Sequence, residues 1–413
     1  MKILIIVQSE VCYHPRLLKA GDFFHTNNCE VTLYNTIIGL ASKKLYEDVI
    51  KKRNWKIVET DISKTSGLSK FRWLLSSIFF KLNQFTASKT GKYISFKHGL
   101  TKSFLFFPAH LKKQRFDYVF INLVDALPFA VSIAQKTGAK VIYDSQEYFK
   151  GQYAQLSLQQ YNWVNNAENI YVKACPIILA TTHVMRERLV KDFEVHAHYY
   201  RVRNVPVNNG LNITKTQTAT LKLVWHGLNI VPENIRGVHI ILQAISICTT
   251  NVHLYLQGNI SVKNKEILEQ KLKQLNIINK VTVLPPANPD AIVESLVGYD
   301  IGIAGELAAE ENQQLTSSNK LFEYIAAGMA VIMPNLPGLV ETVKEYKNGI
   351  LYQQGNAQDL ANAIDQLNNN RNLLQQYQNA SLKASHNELF WEHELLPVFQ
   401  KMKELHLNER IVK

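Results

Sequence analysis

The sequence predicts an α/β protein made of two doubly wound parallel sheets. Short apolar runs alternate with longer helical patterns along the chain. Several of these runs are apolar throughout, which is typical of strands that are covered on both faces. The alternation begins again after a polar stretch at 207–220. Each half of the chain is therefore expected to form one Rossmann-like domain.

The first half contains five predicted strands, separated by patterns that favour crossover helices at 15–25 and 128–136. The predicted strands are Ile3–Val7, Val31–Tyr34, Tyr118–Asn122, Val141–Asp144 and Ile177–Ala180.

The second half repeats this organisation after the polar stretch, which has no apolar periodicity and is interpreted as a linker. We expect a first domain at 1–206, a linker at 207–220, a second domain at 221–385 and a C-terminal helical segment at 386–413, with one helix over 386–407. The strands predicted for the second domain are Leu223–Trp225, Val252–Leu256, Val281–Leu284, Ile301–Ala304, Val331–Met333 and Ile350–Tyr352. Ligands of such sheets bind at the carboxyl ends of the strands, so the cleft between the two domains is the expected site.

The composition is that of a globular protein and excludes disordered and fibrous classes. The chain has 413 residues, of which 46% are hydrophobic and 19% charged. Four cysteines without CxxC spacing favour a reducing, cytoplasmic setting. The apolar run at the start is too short for a signal peptide, and no run of about 18 apolar residues predicts a spanning helix.

The excess positive charge is concentrated in one segment. The formal net charge is +12, and the interval between Asp61 and Asp117 holds 11 Lys and Arg residues and no acidic residue. The segment 62–116 is also aromatic, and residues 71–85 show helical apolar spacing with Arg72 and Lys81 among them. This pattern favours a helix in an anionic membrane interface. The alternative is that the aromatic side chains pack inward and the lysines are solvated.

The stretch 317–338 has the pattern of a nucleotide site. Ser318 and Asn319 are suited to cap a helix, whose free N–H groups and dipole favour phosphate. Lys320 adds a full positive charge at the same end. Glu323 follows one turn later and can accept hydrogen bonds from the two hydroxyls of a ribose. The alternative interpretation is a capped surface helix with ordinary charged residues.

A second glycine-containing stretch, 224–237, connects a strand with an apolar helix. Gly227 would allow close approach of the backbone to a ligand, and Arg236 could bind a diphosphate through its guanidinium. The alternative is a glycine turn with a solvated arginine.

Two further loops follow strands of the first domain. Asp144 and Glu147 lie beyond a buried strand, where a carboxylate could orient a substrate hydroxyl or act as a base. His14 and Arg16 flank Pro15, which suits the first turn of a helix. The acidic residues could equally cap the next helix, and a single histidine could be structural.

The stretch NKLFEYIAAGMAVIMPNLPGLVE resembles the donor-binding motif of glycosyltransferase group 1, also called family 4. The segments VWHG…IRGVHIILQAI, HPRLLKAGDFF, VIYDSQEYF and RNVPVN are similar to other parts of that family. The resemblance covers most of the chain except about 45–115. It implies the GT-B fold, which has two facing Rossmann-like domains and a C-terminal helix that crosses back to the first domain.

The resemblance also implies roles for the residues that match. Glu323 would bind the ribose, while Arg236 and Lys320 would neutralise the diphosphate without a metal or other cofactor; the chain has no DxD motif. The reaction would retain the anomeric configuration. Leu315 stands where the family often has a second glutamate that contacts the donor sugar, and Gln146 stands where it usually has histidine.

These features predict a glycosyltransferase with a nucleotide-sugar donor, UDP-linked in preference to GDP-linked, and a glycan or lipid-linked acceptor of surface polysaccharide or lipopolysaccharide synthesis. We expect it at the inner face of the cytoplasmic membrane, with no nucleic-acid partner. Two alternatives remain open: a GT-B sugar-nucleotide epimerase, and a non-catalytic GT-B subunit that binds a partner enzyme.

Overall fold

The computed structural model describes residues 1–39, 43–90, 95, 100–152, 156–208, 210–216 and 219–412. The chain forms two compact units. The first comprises Met1–Thr181, Met185–Val202 and Leu395–Lys413, and the second comprises Thr182–Val184 and Arg203–Glu394. The end of the chain therefore belongs to the first unit, as the predicted fold requires.

The first unit contains a seven-stranded sheet in the order β3-β2-β1-β4-β5-β6-β7. Every neighbouring pair is parallel. The strands are β1 (Lys2–Val7), β2 (Glu30–Ile37), β3 (Lys56–Asp61), β4 (Tyr118–Ile121), β5 (Lys140–Ser145), β6 (Ile177–Ala180) and β7 (His198–Arg201).

The α-helices of the first half include both predicted crossover helices, now seen at Pro15–Thr26 and Leu127–Thr137. Proline lies in the first turn of each, where no intrahelical partner for its missing N–H is needed. The others are Lys43–Ile50, Gly67–Thr90, Ala109–Lys113, Leu158–Tyr171 and His183–Phe193.

The second unit contains a six-stranded parallel sheet in the order β10-β9-β8-β11-β12-β13. Its strands are β8 (Leu221–Asn229), β9 (Val252–Asn259), β10 (Val281–Leu284), β11 (Ile301–Ile303), β12 (Ala330–Pro334) and β13 (Gly349–Tyr352). Its α-helices are Val238–Ile247, Val262–Gln274, Ile292–Leu296, Glu311–Leu315, Asn319–Ala326, Pro337–Tyr346, Ala357–Asn369 and Arg371–Asn387.

The prediction of two parallel α/β sheets is confirmed, and the structure adds two strands, β3 and β7. Both lie at an edge of the first sheet. Their sequences, KIVETD and HYYR, are partly exposed and lack the continuous apolar run of a central strand. Periodicity alone therefore gave no signal for them.

The C-terminal segment is divided into two helices, so the prediction of one helix over 386–407 is wrong in its extent. The first helix ends at Asn387, and the next, Trp391–Val412, begins after three non-helical residues. Leu389 is buried within that break, and the backbone N–H of Trp391 donates to the carbonyl of Pro206. The burial of Leu389 and the hydrogen bond of Trp391 stabilise this turn more than continued helical hydrogen bonds would.

The last helix packs into the first unit through aromatic and polar contacts. The ring of Phe399 lies 5.6 Å from Phe23 in an edge-to-face arrangement. The hydroxyl of Tyr118 on β4 donates to the carbonyl of Met402 at 2.7 Å. The chain thus ends against the central part of the first sheet.

The helix Gly67–Thr90 has an inverted pattern of burial. Its small and polar residues Ser69, Ser76, Asn83 and Ala87 are buried. Its large apolar residues are exposed: Leu68, Phe71, Leu74, Leu75, Ile78, Leu82 and Phe85. Elsewhere in the predicted basic segment, Phe104, Phe107 and Phe116 are buried, so part of its aromatic content does pack inward. Lys92, Tyr93, Phe96 and Lys97 lie outside the described residues.

A buried carboxyl group lies beneath β5. Glu168 is 1% exposed, and its Oε1 accepts a hydrogen bond from the hydroxyl of Tyr143 at 2.8 Å. Burial raises the pKa of Glu168 to about 7, with a smaller opposing effect of the Tyr143 hydrogen bond. The folded state therefore binds a proton here more tightly than the unfolded chain does.

This group makes stability depend on pH. Because the pKa is raised on folding, the free energy of unfolding falls as pH rises from about 4.5 to about 7. We predict that Glu168→Gln stabilises the protein by about 1–3 kcal/mol at pH 8, and by less at pH 5. Urea denaturation at both pH values measures this. Glu187→Gln, an exposed change on the helix His183–Phe193, is the control. A stabilisation that is equal at both pH values would contradict the assignment.

Candidate functional site

The predicted donor residues gather at the carboxyl ends of β8 and β11. These two strands are neighbours. The strands β9 and β10 lie on one side of β8, and β11, β12 and β13 lie on its other side, so the order of the strands reverses at β8. This is the topological switch point at which open α/β sheets bind ligands. The segments that follow the two strands carry Arg236 and Glu306, and the helix Asn319–Ala326 carries Lys320 and Glu323.

Two glycines hold the segments after β8 and β11 together. Gly237 has a left-handed backbone with φ of 67°, and a Cβ there would lie 1.6 Å from the carbonyl oxygen of Gly305. A Cβ on Gly305 would lie 2.4 Å from the carbonyl oxygen of Gly237. The N–H of Leu307 also donates to the carbonyl of Ile235 at 2.8 Å. Backbones this close place Arg236 and Glu306, the neighbours of the two glycines, in one site.

Tyr324 fixes the helix Asn319–Ala326 beneath this site. It is fully buried, and its ring occupies the space that a Cβ on Gly302 would fill. Its hydroxyl donates to the carbonyl of Ile303 at 3.1 Å and accepts from the N–H of His226 at 3.3 Å. One side chain thus connects this helix to the ends of both β8 and β11.

The first turn of the helix Asn319–Ala326 is not capped by a side chain. Ser318 is the N-cap residue, but its hydroxyl donates to Oε1 of Glu306 at 3.0 Å. Nζ of Lys320 lies 2.8 Å from the same oxygen. Burial would raise the pKa of Glu306, but Lys320, together with the hydroxyl of Ser318 and the charge of Arg236, lowers the pKa below its ordinary value. The first turn of the helix therefore has no side-chain cap and begins beside a buried ion pair.

Glu323 lies one turn further along, on the partly exposed side of that helix. Its Oε2 is 3.0 Å from Nε2 of His226, an ion-pair distance when the imidazole is protonated. The side chain of Glu323 is 21% exposed, whereas that of His226 is 9% exposed. The carboxylate is thus oriented by the end of β8 and remains accessible to a ligand.

Gly227 packs against the ring of Trp225, and this ring lies next to Lys320. A Cβ on Gly227 would lie 2.8 Å from the Trp225 ring, so the glycine is required by the indole. Lys320 Nζ lies 5.7 Å from the centre of the Trp225 ring, within the range of a cation–π contact. Asn319 accepts a hydrogen bond from Asn204 at 2.9 Å, and Arg236 is exposed.

The predicted catalytic residues lie in the first unit: His14 follows β1, Asp144 lies near the end of β5, and Glu147 follows β5. Nε2 of His14 is 2.8 Å from the hydroxyl of Ser9. Burial lowers the pKa of His14, against a smaller effect of Glu10, so the imidazole is neutral at neutral pH. Glu147 accepts a hydrogen bond from Gln152 at 3.2 Å.

Asp144 is bound by Arg16 in a buried, two-point ion pair. Oδ2 accepts from Nε of Arg16 at 2.7 Å, and Oδ1 accepts from Nη2 at 2.8 Å. Nη2 also donates to the carbonyl of Val202. Asp144 is fully buried and Arg16 is 2% exposed. This geometry connects the helix Pro15–Thr26 to β5. Because Asp144 is fully buried, it can act by positioning the residues around it.

Two carboxylates were absent from the sequence-based candidates. Glu306 contacts both Ser318 and Lys320, although it lies 12 and 14 residues before them. Asp125 follows β4, the strand between β1 and β5, and burial raises its pKa to about 6. The position after a central strand was the available signal for Asp125. No spacing rule pointed to Glu306.

Comparison with known proteins finds a family model that matches much of the second unit. Residues 232–384 match the family model described as glycosyl transferases group 1. The match contains Arg236, Ser318, Lys320, Glu306 and Glu323. None of the curated proteins compared with the chain is similar to it in sequence.

Solved structures share the fold of the whole chain at low sequence identity. HepE from Anabaena, in complex with UDP and glucose, is 14% identical with a TM-score of 0.66, covering 98% of this chain and 100% of its own. A glycosyltransferase from Rickettsia africae is 16% identical with a TM-score of 0.65, covering 98% of each chain. TarM from S. aureus, in a complex that includes UDP, is 11% identical with a TM-score of 0.67, covering 97% and 99%. The predictions of a GT-B fold and of a glycosyltransferase are confirmed.

The contact between Gly237 and Gly305 is testable by adding one methyl group. We predict that Gly237→Ala lowers the free energy of unfolding by more than about 3 kcal/mol, because the Cβ meets a carbonyl oxygen and φ is left-handed. Urea denaturation followed by circular dichroism measures the change. Gly298→Ala is the matched control, since its Cβ would meet no atom within 4 Å. Equal stability of the two variants would show that the close approach is not required.

Proposed function

We propose that the protein transfers a sugar from a nucleoside diphosphate donor to a glycan or lipid-linked acceptor of surface polysaccharide or lipopolysaccharide synthesis, with retention of configuration. UDP is the proposed nucleotide, with GDP as the second candidate. The observation that carries the proposal is the uncapped helix start at Ser318, followed one turn later by the accessible carboxylate of Glu323.

The donor side of the proposal follows from charge and geometry. The N–H groups at the start of the helix Asn319–Ala326 suit the diphosphate, as does the positive dipole end. Lys320 and Arg236 supply cationic groups at this end, and no metal is required for that neutralisation. Glu323 accepts hydrogen bonds from the ribose hydroxyls, and Gly227 and Asn319 border the same surface.

The acceptor side of the proposal uses the residues that follow β1 and β5. The neutral imidazole of His14 can accept a proton from an acceptor hydroxyl. Glu147 orients the acceptor, and Asp144 positions these loops through Arg16. The leaving phosphate is a second candidate base for the same proton, because its oxygen gains negative charge as its bond to the anomeric carbon breaks and the acceptor oxygen bonds to that carbon.

Removal of the Glu323 carboxylate tests the donor site. We predict that the native protein is stabilised against heat by a UDP-sugar or GDP-sugar, because ligands that bind the folded state raise its stability. Glu323→Ala is expected to weaken this binding about 10–100-fold through loss of charge-assisted hydrogen bonds. A thermal-shift panel of UDP-, GDP-, ADP- and CMP-sugars, each titrated, measures both effects.

The matched control is Glu269→Ala, which removes an exposed carboxylate from the helix Val262–Gln274. It is expected to bind the donor as the native protein does. If Glu323→Ala bound the donor with native affinity, the assignment of the ribose site would be wrong. Binding of donor without any transfer product would instead favour the non-catalytic subunit.

We further propose that the helix Gly67–Thr90 holds the protein at the inner face of the cytoplasmic membrane. Its exposed apolar residues form a stripe with spacings of three and four residues, which is one face of a helix. Leu68, Phe71 and Phe85 are each more than half exposed. Packing does not explain this stripe, because the opposite face of the helix is the buried one.

The charges of this helix favour an anionic lipid surface over a second copy of the chain. Lys70, Lys81 and Lys89 are exposed along it, and Arg72 is partly exposed. The helix has no acidic residue, so two copies would face each other with like charges only. Anionic headgroups supply the opposite charge. Among the described residues no helix is long and apolar enough to cross a membrane, and the proposed association is peripheral.

Polar substitution of the stripe tests this association. We predict that the triple variant Leu75→Gln, Ile78→Gln and Leu82→Gln binds vesicles of phosphatidylserine and phosphatidylcholine at least about tenfold more weakly than the native protein. Co-sedimentation with these vesicles measures binding. Added salt is expected to weaken native binding, since the lysines contribute through screened charge.

The control for this prediction is Leu158→Gln with Ile170→Gln, which changes two exposed apolar residues on another helix of the same unit. Native vesicle binding is expected for the control. If the triple variant sedimented like the native protein, the stripe would not be the membrane contact. A native protein that forms dimers, and monomers once the stripe is changed, would indicate a second copy as the partner.

A further inference from the structure

One carboxylate oxygen of Glu306 accepts hydrogen bonds from neighbouring side chains, whereas the other has no partner among the described residues. Oε1 accepts from the hydroxyl of Ser318 and lies 2.8 Å from Nζ of Lys320. Oε2 is buried and has no hydrogen-bond partner within the described part of the chain. The side chain as a whole is 13% exposed, so the carboxylate is largely but not completely enclosed by protein.

The unused oxygen belongs to a charged group. Burial would raise the pKa of Glu306, yet the charge and hydrogen bond of Lys320, the hydroxyl of Ser318 and the charge of Arg236 together lower it. The carboxylate is therefore ionised at neutral pH. A buried anionic oxygen without a donor is unfavourable, and in native structures a ligand or an ordered water supplies the donor that the protein does not.

The position of Glu306 relative to the helix start indicates which part of a ligand would meet it. In a nucleotide sugar, the ribose, the diphosphate and the sugar follow one another. Glu323 lies one turn into the helix. The first turn, which has no side-chain cap, and Lys320 lie at its start, and Glu306 contacts the N-cap residue Ser318 just before that start. The ribose, phosphate and sugar positions thus map onto these three places in order.

We propose that Oε2 of Glu306 accepts a hydrogen bond from a hydroxyl of the donor sugar and selects a neutral sugar over one that carries a carboxylate at this place. The inference rests on the proposed function and adds the class of sugar to it. A sugar hydroxyl can donate a hydrogen bond to Oε2 of Glu306. A sugar carboxylate has no proton to donate, and its negative charge would repel that of Glu306. Glu306 is then a specificity-determining residue.

The test compares Glu306→Gln with the native protein for UDP, UDP-glucose and UDP-glucuronate by titration calorimetry. The variant keeps the shape of the side chain and its contact to Lys320, but replaces the anionic oxygen by an amide group. We expect UDP affinity within about twofold of native, UDP-glucose affinity about tenfold lower, and UDP-glucuronate affinity unchanged or higher. The preference for glucose over glucuronate should fall by about tenfold or more.

A parallel series with GDP and GDP-mannose covers a guanine donor. Glu294→Gln, an exposed change on the helix Ile292–Leu296, is the control and should leave all affinities as they are. The melting temperature without ligand shows whether each variant is folded.

Two outcomes would overturn the proposal. Equal weakening of UDP and UDP-glucose by Glu306→Gln would mean that Glu306 acts only by holding Lys320 for the diphosphate. Unchanged affinity for every ligand would mean that the carboxylate does not contact the donor. A native protein that binds neither UDP nor GDP would instead reject the proposed function itself, so the two failures are distinguishable.

Discussion

The second unit depends on the close approach of two backbone segments at Gly237 and Gly305. Neither position has room for a side chain, and Gly237 also requires a left-handed backbone. This contact brings the segments after β8 and β11 together at the switch point of the sheet. Arg236 and Glu306, each adjacent to one of the glycines, share a site because their backbones touch. Without that contact the sheet could form, but the charged groups at its edge would be separated.

The charges at the carboxyl ends of β8 and β11 then determine which ligands can bind there. Lys320 is buried between the ring of Trp225 and the carboxylate of Glu306, so its charge is oriented before any ligand arrives. The hydroxyl of Ser318 also turns to Glu306, which leaves the helix start uncapped. A helix whose first turn has no side-chain cap can donate its N–H groups to a phosphate. The same ion pair therefore explains both the position of the lysine and the free helix start.

The first unit uses its buried charges differently. Arg16 donates two hydrogen bonds to Asp144 and one to the carbonyl of Val202. These contacts connect the helix Pro15–Thr26, the strand β5 and the segment that follows β7. Removal of either partner would leave a buried charge without compensation. The polar groups that remain accessible, such as Glu147, are placed by this rigid support. The exposed apolar stripe of the helix Gly67–Thr90 lies in the same unit and gives it a surface that its own core does not cover.

The sequence by itself determined the two parallel sheets, because buried strands read as apolar runs such as Ile177–Ala180 whatever their surroundings. It also indicated the helix at Lys320 and Glu323, since capping residues and helical spacing are local. Edge strands such as Lys56–Asp61 escaped it, because half-exposed strands have no continuous apolar run. Only the tertiary structure decided the partners of the charges. Asp144 became the partner of Arg16 at a separation of 128 residues, and Glu306 joined Lys320 through a glycine contact that no spacing rule contains. Such pairings depend on which strand ends meet, and that is a property of the folded sheet.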